Sequence, residues 1–251
     1  MRITWSAVFI VAMAALVRAA DSIPATGGDI VITPIMHASV QIEHAGMVIQ
    51  VDPYSKGDLS QAAQADLVLV TDIHGDHMDP PAIATVRKPG AQVVMPAAVR
   101  DAAGDAIPGP MTIIANGETK TVSGVSIEAI PMYNLPAPGQ DPSEVRHTKG
   151  RGNGYVVTIG GKRLYFAGDT QCTPEMRALE NIDAAFLPMN PPNTMLPSEA
   201  AECARAFEPT IAYPFHYRGQ KPEDFAAALK GSPVEVRILS GWYPAGTPDA
   251  R

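Results

Sequence analysis

A short polar segment, residues 71–79, constrains the fold more than any other part of the sequence. It reads Thr-Asp-Ile-His-Gly-Asp-His-Met-Asp, and it follows an apolar, β-branched run at residues 66–70 that predicts a buried strand. Pro80 and Pro81 come next, and proline suits the first turn of a helix but cannot continue a strand. Two histidines and several carboxylates therefore lie in a loop that leaves the end of a buried strand.

The chemistry of this loop favours a metal site. Imidazole nitrogens and carboxylate oxygens are ligands of zinc, manganese and iron, and His74, Asp76 and His77 fall within four residues. The alternative is a polar turn in which the same side chains only cap backbone groups. Ionisable groups packed this densely would repel or desolvate one another without a counter-ion. We therefore interpret residues 71–79 as a metal-binding loop.

The first 20 residues have the pattern of a secretory signal peptide. Arg2 gives a positive start, residues 7–17 form an apolar run of 11, and Ala19 and Ala20 offer small residues for cleavage. The run is short for a bilayer span, although Arg18 leaves an uncleaved anchor as the alternative. We expect a periplasmic or secreted protein without stable membrane association after cleavage, and a single domain over residues 21–251.

Charge and cysteine content exclude several classes of protein. Loss of Arg2 and Arg18 with the signal segment takes the formal charge from −7 to −9, so the exported chain has no general attraction for nucleic acid or anionic lipid. A small-molecule substrate is the expected partner. Cys172 and Cys203 could pair in an oxidising compartment, but two cysteines do not build a disulfide scaffold. We expect two separate thiols, with Cys203 in a helix core and Cys172 packed at the start of another helix.

Strand and helix patterns along the chain predict an α/β fold with two mixed sheets flanked by helices. Residues 29–52 and 111–167 predict mainly antiparallel strands, whereas residues 66–103 and 182–239 alternate strand and helix. A short helix is expected at residues 59–65. The repeated order, meander followed by βα units, suggests two similar halves, although no sequence repeat is evident.

A long segment without periodicity, residues 133–153, interrupts the second set of strands. Loops of this length within a compact domain are usually functional or disordered. The segment contains His147 and three cations, Arg146, Lys149 and Arg151, which could recognise phosphate or carboxylate. Solvated charges on a mobile loop are the alternative interpretation.

Further candidate ligands follow other predicted strands. Asp169 and His216 each come directly after a strand, and side chains at neighbouring strand ends converge on one edge of a sheet. Alone, His147 would more often be solvated and Asp169 would more often cap a turn. Their joint placement with the 71–79 loop favours metal ligation.

Two other histidines and one aspartate have weaker indications. His37 begins a strand and Asp52 ends the partner strand, so either could contact the ligands from behind. His44 precedes Ala-Gly in a turn, where we expect it to be exposed.

Together these motifs resemble the metallo-β-lactamase superfamily. The loop is similar to its His-x-His-x-Asp-His signature, with Asp72 in place of the first histidine. His147, residues 168–170 and residues 214–217 match its third histidine, bridging aspartate and final histidine in order. The Asp-Pro pair at residues 52–53, the Gly-Asp-Thr triplet and the His-Tyr pair are most similar to the ascorbate-6-phosphate lactonase-like branch of metal-dependent hydrolases.

The resemblance covers about residues 29–240 and implies a four-layer αβ/βα sandwich that holds one or two divalent ions. Zinc or manganese is expected, and iron is possible. The implied metal ligands are Asp72, His74, Asp76, His77, His147, Asp169 and His216. Asp72, His74 and His147 would hold one ion, Asp76, His77 and His216 the other, and Asp169 would bridge them.

The chemistry that the resemblance implies is hydrolysis of a small lactone, ester, amide or phosphodiester by water that the metal has activated. Asp76, which could orient the nucleophile, and Asp169 are the expected catalytic residues. Tyr133, Tyr217 and Arg218 are candidates for contact with the substrate.

Asp72 departs from the signature and leaves alternatives open. A carboxylate there adds negative charge and harder ligation, which favours manganese, iron(II) or magnesium relative to zinc. It could also weaken the first site, so that one ion, held by Asp76, His77, Asp169 and His216, is the resting state. A redox iron enzyme of the same fold and a metal-binding protein without turnover are the alternative functions.

Overall fold

The structure is a computed structural model that describes residues 19–243. The expected signal segment therefore lies, apart from its last two residues, outside the described part of the chain. Within residues 19–243 no helix has the length and apolar character needed to cross a membrane.

The first of two seven-stranded sheets is built from the N-terminal half of the chain. Its strands, in spatial and sequence order, are β1 (Asp21–Ile23), β2 (Ile30–Met36), β3 (Ser39–His44), β4 (Met47–Val51), β5 (Ala65–Leu69), β6 (Arg87–Met95) and β7 (Met111–Ile113). Pairings from β1 to β4 are antiparallel and those from β4 to β7 are parallel. The helices α1 (Pro80–Val86) and α2 (Ala97–Ala103) follow β5 and β6.

The second sheet repeats this arrangement in the C-terminal half. Its strands are β8 (Thr119–Val122), β9 (Val125–Met132), β10 (Gly152–Ile159), β11 (Lys162–Phe166), β12 (Ala184–Pro188), β13 (Ile211–Phe215) and β14 (Glu235–Val236). Pairings from β8 to β11 are antiparallel and those from β11 to β14 are parallel. The helices are α3 (Pro174–Arg177), α4 (Pro197–Phe207) and α5 (Pro222–Ala228). The two similar halves expected from the sequence are thus present in the topology.

The hydrophobic core explains the four layers. Because side chains alternate across a strand, Leu67 and Leu69 of β5 face the second sheet, where Phe166 and Phe186 stack with ring centroids 4.6 Å apart. Val68 of β5 faces the opposite way and packs in the cluster that contains helix residues of α1 and α2. A third cluster packs the helices of the second half on the outer face of the second sheet. The expected αβ/βα sandwich is confirmed.

Two expectations about local structure were wrong. Residues 59–64 form one turn, at residues 60–61, and otherwise irregular backbone rather than a helix, because the Ala63 N–H donates to the Gln41 side chain at 2.8 Å and Ala65 already opens β5. The run at residues 111–115 does not join the second set of strands. Instead Met111–Ile113 pairs in parallel with β6 and ends the first sheet.

The cysteines also differ from expectation, since Cys172 and Cys203 form a disulfide with their Cα atoms 5.6 Å apart. Cys203 is buried within α4, as expected. Cys172 lies just before α3, and α3 packs against α4, so the two sulfurs meet across 31 positions of sequence. The expectation of two separate thiols was wrong because the pairing depends on the packing of α3 on α4, which the sequence around each cysteine does not show.

Candidate metal centre

The candidate ligands follow the ends of strands from both sheets. The loop at residues 70–79 leaves β5, Asp169 follows β11 and His216 follows β13. Gly168 adopts φ 65°, and a Cβ there would lie 2.5 Å from Met132 Sδ and 3.1 Å from Thr71 Cβ. Only glycine therefore fits the turn that brings Asp169 from the second sheet against the loop of the first sheet.

The loop itself is a tight turn in which neighbouring side chains diverge. His74 O accepts hydrogen bonds from the N–H groups of His77 (2.9 Å) and Met78 (2.7 Å). Asp79 has a structural role, because its carboxylate caps α1 at the Ala82 N–H (3.0 Å) and also accepts from the Ser55 N–H (2.9 Å).

Three groups of possible metal ligands result, and within each group one ligand atom per residue lies within 4.8 Å of the others. The groups are His37 with Asp76 and His216, Asp72 with His74 and His147, and His77 with Asp169 and His216. All seven residues proposed from the sequence thus fall into one connected cluster, which His37 joins.

The group of His77, Asp169 and His216 has the strongest indication of an ion. Asp169 Oδ1 lies 3.4 Å from His77 Nε2 and 3.2 Å from His216 Nε2. These three atoms and His216 Nδ1 are buried and lack a hydrogen-bond partner among the described residues. A buried polar atom without a partner costs about 1–3 kcal/mol, and a cation between one oxygen and two nitrogens would remove that cost. The donor set fits zinc, manganese or iron.

Asp52 fixes the orientation of His77 from behind, as the sequence suggested. Its Oδ2 lies 2.7 Å from His77 Nδ1, and it also accepts from the Thr71 hydroxyl at 2.6 Å. The Thr71 N–H donates to Oδ1 at 2.8 Å. With Nδ1 committed to Asp52, Nε2 of His77 is left to face Asp169, which is the arrangement that a metal-binding histidine requires.

Asn134 has the same role for His147, and the sequence analysis missed it. Its Oδ1 lies 2.9 Å from His147 Nδ1 and accepts from the His147 N–H at 3.0 Å, while its Nδ2 donates to Asn193 O. Nε2 of His147 then lies 3.3 Å from Asp169 Oδ2. No periodicity marks Asn134 in the sequence, because its role depends on a contact 13 residues away.

Asp72 is buried and held by Arg151. The Nε and one terminal nitrogen of Arg151 each lie 3.0 Å from a different oxygen of Asp72, and His74 Nδ1 lies 2.7 Å from Oδ2. Burial alone would raise the pKa of Asp72, but hydrogen bonding to His74 and the charges of His77 and Arg151 hold it at about 2. Of the three loop cations, Arg151 is thus part of the cluster. Lys149 instead pairs with Glu175.

His37 closes the other end of the cluster. Its Nε2 lies 3.1 Å from Asp76 Oδ2, its Nδ1 contacts the Tyr243 hydroxyl, and its ring centroid is 3.7 Å from that of His216. His37, Asp52 and His216 all have positive φ, at 60°, 44° and 47°. Left-handed backbone at non-glycine residues is strained and concentrates at functional sites.

His44 does not belong to the cluster. It was expected to be exposed, but it is buried, with Nδ1 3.5 Å from Asp29 O. The turn at residues 45–46 is exposed, whereas the preceding side chain points inward at the end of β3.

Charge within the cluster is strongly coupled. Burial opposes ionisation of Asp169, yet the imidazoles of His216 and His77 hold its pKa well below the usual range. Burial likewise disfavours the charged form of His77, but the carboxylates of Asp169 and Asp52 raise its pKa. A metal ion at this position would take over the role of the His77 proton, since a ligating imidazole must be neutral.

Two of the candidate substrate residues, Tyr133 and Tyr217, contact residues that are not candidate ligands. The Tyr133 hydroxyl donates to Glu175 at 2.9 Å, and Tyr217 packs on Tyr243 with ring centroids 4.7 Å apart.

A cavity of about 680 Å³ lies beside the centre. Its walls include Asn134 and Arg146 but none of the candidate ligands, so it adjoins the cluster rather than opening over it.

Comparison with known proteins decides the family. A model described as beta-lactamase superfamily domain matches residues 31–216, which is most of the chain. The chain belongs to the metallo-β-lactamase superfamily. Its two mixed sheets, arranged as an αβ/βα sandwich, agree with that assignment.

Individual members of the superfamily cover nearly all of the described chain. A protein of Thermococcus onnurineus named metal-dependent hydrolase is 31% identical over 217 residues, which span 81% of this chain and 93% of the relative. A crystal structure from Parabacteroides distasonis, provisionally named a metal-dependent hydrolase, is 39% identical with a TM-score of 0.80, covering 89% of this chain and 99% of that one. A diiron β-hydroxylase from Streptomyces venezuelae shares the fold at 16% identity and a TM-score of 0.65, over 86% of this chain and 53% of its own.

Proposed function

We propose that the protein is a metal-dependent hydrolase that cleaves a small lactone, ester, amide or phosphodiester. The observation that carries this proposal is the set of buried, unpartnered donor atoms on His77, Asp169 and His216. The names of the similar proteins from Thermococcus and Parabacteroides support the same class of activity.

A divalent ion in this centre would polarise the substrate and make a bound water more acidic. His77, Asp169 and His216 would hold one ion, and Asp72, His74 and His147 are the candidates for a second. Asp52 and Asn134 keep one nitrogen of His77 and His147 occupied, so that the other nitrogen of each ring faces the centre.

Asp76 is the residue best placed to orient the attacking water. Its side chain is partly exposed, at 27%, whereas the other carboxylates of the cluster are almost fully buried. Although burial opposes ionisation, the neighbouring imidazoles of His216 and His37 lower the pKa of Asp76, so the group is an anion and an acceptor near neutral pH. His37, 3.1 Å away, positions it.

A redox iron enzyme is the second candidate. The mixed nitrogen and oxygen donor set suits iron as well as zinc or manganese, and a protein named a diiron β-hydroxylase has a similar fold. Turnover by protein loaded with redox-inert zinc or magnesium would favour hydrolysis over this alternative.

The proposal includes export. The N-terminal pattern and the Cys172–Cys203 disulfide both suit a periplasmic or secreted protein, because disulfides persist in oxidising compartments. The acidic charge is consistent with a small-molecule substrate rather than nucleic acid.

The test combines metal analysis with a panel of chromogenic esters, lactones and phosphodiesters. His77→Ala and Asp169→Ala should each lower metal content at least tenfold and hydrolysis at least 100-fold, with the circular dichroism spectrum retained. His44→Ala is the matched control, since it removes a buried histidine outside the cluster. Metal content that is the same in wild type and both variants would contradict the proposed centre.

A further inference from the structure

Some of the buried nitrogen and oxygen atoms of the cluster have hydrogen-bond partners and others do not. The unpartnered atoms lie on His77, Asp169 and His216, and no atom of Asp72 or His147 shares that condition. His147 Nε2 lies 3.2 Å from His74 Nδ1, and its Nδ1 is bound to Asn134. One half of the cluster thus needs a cation to satisfy it, whereas the other half is satisfied by the protein.

Arg151 is the cation that satisfies Asp72. Its guanidinium is held at three points, by both oxygens of Asp72 at 3.0 Å and by Arg146 O at 2.6 Å. The Asp72 side chain is fully buried and that of Arg151 is 18% exposed, so solvent screens this pair weakly. Planar, two-point pairing makes it the strongest type of arginine–carboxylate contact.

The fold itself brings this pair together from distant parts of the sequence. The Asn153 N–H donates to Thr71 O at 2.9 Å, which joins the start of β10 to the end of β5. Asp72 and Arg151 flank this hydrogen bond, one on each strand end, 79 positions apart in sequence. The contact is therefore built into the junction between the two sheets rather than depending on a free loop.

The Asp72–Arg151 pair also makes the two groups of ligands differ in the negative charge that they offer to an ion. Arg151 cancels the charge of Asp72, so the pair offers no net negative charge to an ion beside His74 and His147. The group of His77, Asp169 and His216 keeps the negative charge of Asp169. Asp76 brings a second carboxylate to within 3.6 Å of His216 Nε2. A divalent ion next to Asp72 would in addition face a fixed guanidinium at close range.

We propose that Arg151 takes the place of a second metal ion, so that the resting protein binds one ion per chain, at His77, Asp169 and His216. Asp72 is then the partner of Arg151 rather than a metal ligand. This inference rests on the proposed metal centre, and it assigns Arg151 a positioning role within it.

Metal titration by calorimetry, checked by elemental analysis after dialysis, tests the inference with Zn²⁺ and Mn²⁺ as the probes. Wild type should bind one ion per chain. Arg151→Gln frees Asp72 and should add a second ion, with at least tenfold tighter binding at that position than in wild type. Arg151→Gln combined with His74→Ala should return the count to one. Arg163→Gln, which breaks a 3.3 Å pair with Glu128, is the matched control and should leave one ion.

Asp72→Asn provides a second, independent arm in case Arg151→Gln does not fold. It should leave the single ion bound within about threefold of the wild-type affinity, whereas loss of tenfold or more would make Asp72 a ligand of that ion and overturn the inference. Two ions of similar affinity in wild type, or one ion in folded Arg151→Gln, would also overturn it. Absence of any bound ion in wild type would instead refute the metal centre and hence the proposed function.

Discussion

Replacement of Asp52 with asparagine would isolate the contribution of a residue that does not itself face the metal. The Asp52 carboxylate accepts from both the N–H and the hydroxyl of Thr71 and holds His77 Nδ1 at 2.7 Å. Asparagine has the same shape and tolerates the left-handed φ of 44° at this position. The substitution therefore changes hydrogen bonding and charge while leaving the backbone conformation accessible.

The expected cost follows from the geometry. With its amide NH₂ towards His77, asparagine would place a donor against the Nδ1–H, and the ring would relieve the clash by moving its proton to Nε2. That nitrogen could then no longer bind an ion. With the amide reversed, its NH₂ would face the Thr71 N–H, so either orientation loses one buried hydrogen bond. Loss of such a supporting partner lowers metal affinity about 10- to 100-fold, or about 1.4–2.8 kcal/mol.

Zinc titration against a competing chelator would measure this change. Asp66→Asn is the matched control, because Asp66 also accepts a backbone N–H, that of Val48 at 2.9 Å, and pairs with Lys88 outside the cluster. Affinity in Asp66→Asn should equal that of wild type. If Asp52→Asn binds zinc within twofold of wild type, the idea that Asp52 sets the His77 tautomer is wrong.

Two further predictions concern the disulfide and the N-terminus. The Cys172–Cys203 bond closes a loop of 31 positions, and its removal in Cys172→Ala/Cys203→Ala should lower the free energy of unfolding by about 3–4 kcal/mol. Urea denaturation of wild type with and without reductant should show a similar loss, and an unchanged midpoint on reduction would contradict the disulfide. Export should remove residues 1–20, which intact-mass measurement on protein from the periplasm or culture fluid of the native cell would detect; a full-length cytosolic product would count against it.

Much of the candidate centre could be predicted because its ligands are local in sequence or directly follow strands. His74, Asp76 and His77 share one turn after β5, and Asp169 and His216 follow β11 and β13. A strand end fixes where a side chain emerges, so an apolar run followed by a ligand-type residue is enough to place it. The two similar halves could be predicted because a meander followed by βα units occurs twice along the chain. In the structure each half accordingly changes from antiparallel to parallel pairing.

Features that depend on contacts between distant segments could not be predicted in this way. The Cys172–Cys203 bond requires the packing of α3 on α4, and Asn134 acquires its role only where the long loop returns His147 to it. Residues 59–64 are not helical because Gln41, on β3, competes for a backbone N–H that a helix would use. In each case a tertiary partner overrides or completes the local pattern.

Asp72 shows how such a distant contact changes the meaning of a local motif. Within the signature alone, a carboxylate at this position is interpreted as a harder metal ligand in place of an imidazole. The structure places Arg151 against both of its oxygens, so the aspartate and the arginine form one unit that neither residue predicts alone. It follows that histidine at position 72 would not by itself recreate the two-ion site of the signature. Arg151 would remain beside it, a fixed positive charge without a carboxylate, and would oppose the very ion that the imidazole was meant to bind.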